Sequence, residues 1–412
     1  MKYGLIGEHL GHSFSREVHS MLADYEYELL EIPRDKLDAF MTQRDFDAIN
    51  VTIPYKEAVI PYLSFISDEA KMIGSVNTVV NRGGRLYGYN TDFLGMKALI
   101  EKMNLNLSGR KTVILGTGGT SKTAFTVAKS LGAGPIITVS RTKKNGATDY
   151  GELVDKHTDA QIIINTTPVG MYPDNFSAPI DLSLFKKAVG VIDAIYNPLN
   201  TELVLNARKN GINAEGGLYM LVAQAVYACQ IFLDKEYSRE KLDEVFTRIL
   251  RKKENIVLIG MPSSGKTTVS HLISKKLHKD VLDTDAMVEN SRGITIKEIF
   301  ESEGEGAFRD YESKEIANAS LQNGVIISTG GGSVLKEKNI SMLKQNGKVF
   351  FIDRPCDKLI STPERPLSHS KAAIEKMHRE RYPLYVRAAD YVIDASGTPD
   401  TVANKIIGEF LK

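Results

Sequence analysis

The sequence predicts an α/β protein built from nucleotide-binding units, on three observations. Short β-branched runs alternate with helical patterns, as in KTVIL, a glycine turn, TSKTAFTVAKSL and then PIITVS, which is the signature of parallel strands covered by helices. Strand–glycine turn–helix units occur twice, at Gly116 and Gly260. The 412 residues, 42% hydrophobic and 25% charged, are enough for two to four domains with real cores and are unlike disordered, collagenous or membrane compositions.

Charge and cysteine usage narrow the class. Lys and Arg number 52 against 51 Asp and Glu, and the balance holds along the chain, with 22 of each from Glu254 onward. Neither half is a polycation, which excludes a large nucleic-acid footprint or an anionic-membrane surface. Cys229 and Cys356 stand 127 positions apart, too few for a disulfide framework or a zinc site, and fit a reducing compartment, read here as the cytoplasm. The opening MKYGLIGEHL enters a strand without a leader-like apolar core, so the mature chain is expected to begin there. The run Leu218 to Leu233 is apolar but holds Gln224 and Gln230 and is too short to span a bilayer; it predicts a buried helix.

Boundaries follow from local composition. RKKEN, Arg251 to Asn255, separates a helical run from the strand IVLIG and is read as a short linker. A weaker boundary at Asn106 to Arg110 divides the first part into residues 1–106 and 107–217, with the helices of 218–250 expected to return to the first layer, and 255–412 forms the last domain.

In the first half, KTVIL runs into Gly116-x-Gly118-Gly119, where backbone N–H groups and a helix N-terminus can meet a pyrophosphate. The third glycine of G-x-G-x-x-G is replaced by Ser121. The next strand ends at Ser140 and Arg141, where a NAD site places an acid; SRTKKN has none, and Arg141, Lys143 and Lys144 favour the 2′-phosphate of NADP(H). The N-terminal layer adds HSFS with Ser13 and Ser15, NVTIPYK, GSVNT with Asn77 and GYNTD with Asp92. Each alone is ordinary capping or turn chemistry. Together they supply hydroxyls, amides and a Lys/Asp pair suited to a small polyhydroxylated acid.

At these motifs, and through INTTPVGM, DAIYNPLNT and GLYMLVAQA to about residue 235, the sequence resembles shikimate dehydrogenases. The resemblance implies a two-layer dehydrogenase with a Rossmann-like NADP domain. It makes Ser13 and Ser15 carboxylate binders, puts Thr52 in the substrate pocket, and gives ring hydroxyls to Asn77, Asp92 and Gln224. Lys56 becomes the catalytic lysine with Asp92 beside it, and the glycine turn, Ser140, Arg141 and Thr142 hold NADP, with Tyr196 and Gly217 near the nicotinamide. A Lys ammonium held by Asp suits the proton that ketone reduction needs. Where relatives often carry a second Arg, this chain has Lys144 and Asn145, and a softer NADP preference is expected.

The second half opens with GMPSSGKT, a complete G-x-x-x-x-G-K-[ST] between a strand and a helical pattern. Gly260, Ser263, Ser264, Gly265, Lys266, Thr267 and Thr268 are expected to cradle ATP, with Thr267 on Mg²⁺. A P-loop alone leaves NTPase, kinase and switch open. Downstream come DTD with Asp283 and Asp285, FRDYE with Arg309, TGGG, ERPL with Arg365 and RYPLY with Arg381. As an ordered set these resemble shikimate kinases from about Asn255 to Lys412. That resemblance implies a P-loop domain with a parallel sheet, Asp283 assisting the metal, and Asp285 on the hydroxyl to be phosphorylated. Arg309 and Arg381 take the substrate carboxylate, Gly331 and Gly332 position the ring, and Arg365 meets the transferring phosphate from a lid. Only 11 residues separate Asp353 from Arg365, so the lid is short.

The expected activity is NADPH-dependent reduction of 3-dehydroshikimate to shikimate, followed by ATP/Mg²⁺-dependent phosphorylation. Two alternatives remain: a dehydrogenase fused to a P-loop module that senses nucleotides, disfavoured by the presence of Asp283, Asp285, Arg309 and Arg381, and NAD-linked quinate oxidation, disfavoured by Arg141. Partners are these small molecules, with no nucleic acid and no membrane.

Overall fold

A computed structural model describes residues 2–10, 14–143, 146–360 and 370–412. The chain divides into two compact units, Met1–Ile249 and Leu250–Lys412.

Two sheets make up the first unit. Strands β1 (Tyr3–Gly7), β2 (Tyr27–Glu31), β3 (Ala48–Val51), β4 (Phe65–Ile66), β5 (Thr78–Arg82) and β6 (Arg85–Tyr89) pair in the order β2-β1-β3-β5-β6-β4. This sheet is mixed, a departure from the parallel pattern that strand–helix alternation predicts: β5 is antiparallel to both its neighbours, β3 and β6, and returns as β6 through a two-residue Gly83–Gly84 turn. The second sheet, β7 (Thr112–Leu115), β8 (Ile136–Val139), β9 (Ile162–Asn165), β10 (Gly190–Asp193) and β11 (Asn213–Glu215), is wholly parallel in the order β11-β10-β9-β7-β8. Its central strands read TVIL and IIIN and are buried on both faces, as parallel strands between helices must be. The chain order reverses at β7, which opens a crevice beyond the strand ends where Gly116 lies.

Helix Leu218–Leu233 packs on helices Thr91–Lys102 and Ser15–Ser20. The first contact is close because Gly95 has no side chain: a Cβ there would lie 2.6 Å from Met220 O and 3.0 Å from Gln224 Cβ. No helix among the described residues is long and apolar enough to cross a membrane, and both cysteines are free thiols.

In the second unit β12 (Asn255–Ile259), β13 (Val281–Asp283), β14 (Ile326–Ser328), β15 (Gly347–Asp353) and β16 (Tyr391–Asp394) form a parallel sheet in the order β13-β14-β12-β15-β16. Alternate residues of β12 feed two cores: Ile256 and Leu258 meet Val269, Ile273, Phe350 and Ile352, while Val257 and Ile259 meet Val349, Phe351 and Tyr385. The order again reverses at the central strand, so the turn after β12 lies at a crevice. The stretch read as a linker from sequence is helical: helix Arg239–Lys253 reaches β12 with only Glu254 between. Its last carbonyls are used inside the second unit. Lys279 Nζ donates to Arg251 O at 2.9 Å and Glu254 O at 3.3 Å, and Gly324 N donates to Lys253 O at 2.7 Å. A charged run that reads as a linker is here a capped helix end, its cationic side chains suited to the negative pole of the helix.

Candidate active sites

In the first unit a cavity of about 440 Å³ is lined by Ser15, Thr52, Lys56, Asn77, Asp92, Thr120, Tyr196, Gly217 and Gln224, among others. Asn90 caps helix Thr91–Lys102 by accepting from Phe93 N at 3.1 Å, which places Asp92 in the first turn, where a carboxylate is favoured. Lys56 Nζ donates to Asp92 Oδ2 at 2.6 Å, with both side chains only partly exposed, 29% and 22%.

The amides around this pair are fixed by residues that sequence reading did not assign. Asn77 Oδ1 accepts from Thr91 N at 2.7 Å, Thr91 Oγ1 at 3.2 Å and Thr78 Oγ1 at 3.1 Å, which fixes the amide and leaves Nδ2 as its donor towards the cavity. Thr91 is fully buried, and the single hydrogen of its hydroxyl can turn instead to Gln224 Oε1, at 3.4 Å. Asn50 is held behind them by Tyr27, whose hydroxyl donates to Asn50 Oδ1 at 2.7 Å. The adjacency of Thr91 to Asp92 was a usable signal; nothing in the sequence marks Tyr27.

Ser13 lies outside the described residues. Gly116, Gly118, Gly119, Ser140, Arg141 and Thr142 do not line this cavity; of that turn only Thr120 does. The turn fits a dinucleotide phosphate. Helix Gly119–Ser130 starts there, and a Cβ on Gly118 or Gly119 would meet nothing within 4 Å, so open space lies above its amides. Ser121, in the place of the third glycine, donates to Gly116 O at 2.7 Å and closes the turn from within. Arg141 is exposed beyond β8. Lys143, also exposed, pairs with Glu152 at 2.9 Å and Asp149 at 3.3 Å, and these carboxylates raise its pKa. Lys144 lies outside the described residues.

In the second unit a cavity of about 740 Å³ brings together Ser263, Gly265, Lys266, Thr267, Thr268, Asp283, Asp285, Arg309, Gly331, Gly332 and Arg381. Gly260 and Ser264 do not line it, and the Ser264 side chain is buried beneath the turn. Lys266 Nζ donates to Gly260 O and Met261 O, both at 2.9 Å, folding over the turn it would share with phosphates. Asp283 caps helix Thr284–Arg292 through Oδ1, which accepts from Asp285 N and Ala286 N, and turns Oδ2 to Thr267 Oγ1 at 3.3 Å. A hydroxyl and a carboxylate oxygen side by side at a phosphate-binding turn fit Mg²⁺, a hard cation.

Arg309 sits on helix Gly304–Ser320. Its Nη1 donates to Glu312 Oε2 at 2.9 Å and its Nη2 to Glu305 Oε1 at 3.0 Å. Burial opposes its charge, yet Glu312 and Glu305 outweigh that and raise its pKa. Gly332 leaves room for it, since a Cβ there would collide with the guanidinium at Nη1. Arg381 Nη1 and Tyr385 Oη both donate to Gly331 O, at 3.0 and 2.5 Å. Glu312, 1% exposed, was missed: it stands three residues after Arg309 and reads as ordinary helix surface until the packing is seen. Arg365 lies outside the described residues.

Comparison with known proteins gives the same division. A model of the shikimate dehydrogenase substrate binding domain matches residues 5–79, and a model of shikimate kinase matches residues 262–411. Shikimate dehydrogenase (NADP(+)) of Clostridium perfringens strain 13 is 35% identical over 265 residues, covering 60% of this chain and 97% of that protein. That of Caldanaerobacter subterraneus subsp. tengcongensis is 37% identical, covering 58% and 95%. Among solved structures, a chorismate mutase/shikimate 5-dehydrogenase fusion protein from Clostridium acetobutylicum aligns with a TM-score of 0.56 at 34% identity over 60% of this chain and 96% of that one. Shikimate 5-dehydrogenase from Thermus thermophilus, in complex with NADP(H) and shikimate, aligns at 0.54 and 27% identity over 60% and 99%. The chain belongs to the shikimate dehydrogenase family and carries a shikimate kinase domain behind it in the same polypeptide.

Proposed function

We propose that the chain reduces 3-dehydroshikimate to shikimate with NADPH and then phosphorylates the shikimate 3-hydroxyl with Mg·ATP, two consecutive steps run by one polypeptide. The observation that carries this reading is the convergence of Lys56 and Asp92 with Thr52, Asn77 and Gln224 on one cavity of the dehydrogenase part. Residues 1–106 with helices of 218–250 form the substrate layer, 107–217 the NADP layer and 255–412 the kinase. Near-neutral charge and two free thiols favour the cytoplasm.

In the first reaction NADPH supplies the hydride. Lys56 gives the proton to the oxygen that becomes the hydroxyl, and Asp92 holds the ammonium in place. Ser13 and Ser15 take the substrate carboxylate; Thr52, Asn77 and Gln224 hold the ring. Gly116, Gly118, Gly119, Ser140, Arg141 and Thr142 hold the dinucleotide, with Tyr196 and Gly217 at its nicotinamide end.

In the second reaction Mg²⁺, held through Thr267 and Asp283, would screen the phosphate charge. Lys266 and Arg365 meet the outer phosphates, Asp285 orients the acceptor hydroxyl and accepts its proton, and Gly331 and Gly332 position the ring. Arg309 and Arg381 receive the carboxylate. Since Glu305 is about half exposed and Glu312 is buried, an incoming carboxylate displaces Glu305 and leaves Glu312 as the anchor.

The test supplies 3-dehydroshikimate, NADPH and Mg·ATP and identifies the products; shikimate 3-phosphate is expected. Accumulation of shikimate with no ATP consumed would reduce the second unit to a nucleotide-binding module. In the Asp285→Asn variant phosphorylation should be largely abolished while ATP binding persists.

A further inference from the structure

Arg354 follows β15 directly and stands beside the phosphate-binding turn. Its Nη1 lies 3.9 Å from where a Cβ on Gly265 would be, and Gly265 caps helix Lys266–Leu277, whose amides face that turn. The side chain is half-buried, and its Nε donates to Lys358 O at 3.2 Å, which aims the rest of the guanidinium. Among the described residues no carboxylate forms an ion pair with it. The same segment touches the turn again where Ser263 Oγ donates to Ile360 O at 2.9 Å. A half-buried cation, oriented by its own backbone and without a carboxylate partner among the described residues, is thus fastened against an anion-binding loop.

We propose that Arg354 binds a phosphate oxygen of the nucleotide, gripping the polyphosphate from the β15 side while Lys266 grips it from within the turn. What ties Arg354 to the nucleotide is its place beside Gly265 at the phosphate-binding turn, while Arg309 and Arg381 are the cations beside Gly331 and Gly332. A planar guanidinium can span two phosphate oxygens, and such charge-assisted bonds are the strong ones. The proposal rests on the reading of GMPSSGKT as a nucleotide site but not on shikimate as the acceptor.

The experiment measures ADP affinity by calorimetry, with Mg²⁺, on the full chain and on Arg354→Gln and Arg354→Lys variants. Gln should weaken ADP by about ten- to a hundredfold, Lys should recover part of the loss by restoring the charge, and the shikimate KM should not move. Unchanged ADP affinity in the Gln variant would overturn the proposal. So would a Lys variant as weak as Gln, which would assign the side chain to holding Lys358 O. Wild-type protein that binds ADP but does not phosphorylate shikimate would sink the kinase reading and leave the role of Arg354 standing on its own binding data.

Discussion

Lys56 and Asp92 are 36 positions apart in sequence, yet the ammonium and the carboxylate meet at 2.6 Å, one from the segment after β3 and the other from the first turn of a capped helix. Lys56→Ala should therefore lower dehydroshikimate reduction by about 10² to 10⁴-fold, the scale of a positioned acid–base group, and leave shikimate phosphorylation intact. Steady-state rates of both reactions on the same preparation check this; a reductase near wild type removes Lys56 from the mechanism.

Arg141 is the proposed contact to the 2′-phosphate, and Lys143 near it pairs with Glu152 and Asp149. Arg141→Ala should raise the NADPH KM about ten- to a hundredfold and hardly change that for NADH. Lys143→Ala should affect neither. Equal loss with both cofactors in the Arg141 variant would place that side chain on the shared dinucleotide framework.

Gly332→Ala puts a methyl group where Arg309 Nη1 lies and must push the guanidinium off Glu312. The shikimate KM should rise, with ATP KM little changed, since Lys266 and its turn are separate from the displaced group. Glu312→Gln should give the same split more weakly. A rise in ATP KM alone would move Arg309 to the nucleotide.

Asp193 is fully buried, accepting from Asn165 Nδ2 and Ile195 N at 3.0 Å and Thr201 Oγ1 at 2.7 Å. Burial still pushes its carboxyl up to about 6. Its contribution to stability is present below the ordinary carboxyl range and is lost as pH rises through about 6. Thr201→Val removes one donor to the ionised form and should cost about 1 to 3 kcal/mol, more at about pH 8 than at about pH 5. Chemical denaturation at the two pH values checks this; an equal cost at both would show that Asp193 does not change charge between them.

Fragments of the second unit should depend on where they begin. One starting at Leu250 keeps Arg251 O, which accepts from Lys279; one starting at Asn255 loses it together with Glu254 O and Lys253 O. The shorter fragment should have the lower thermal midpoint. Equal midpoints would make the helix end dispensable.

The residues legible in the sequence are those whose chemistry sits in contiguous motifs: Lys56 in NVTIPYK, Asp92 in GYNTD, Thr267 in GMPSSGKT and Asp283 in DTD. What stayed hidden acts through another residue. Glu312 matters because it holds Arg309, Thr91 because it joins Asn77 to Gln224, and Tyr27 because it holds Asn50. The pairing of Lys143 with Glu152 was hidden because it depends on the helix that follows lying beside it. The antiparallel turn of the first sheet escaped because strand–helix alternation fixes neighbours but not direction.

The three hydrogen bonds on Asn77 Oδ1 make the first pocket a one-way stencil. One of them comes from the backbone N–H of Thr91, which every replacement at that position except proline keeps, so the amide is held against inversion. The cavity meets hydrogens at that point whatever enters it. An analogue bearing an ammonium in place of the hydroxyl proposed to meet Asn77 would set donor against donor, and should bind more weakly without any steric clash.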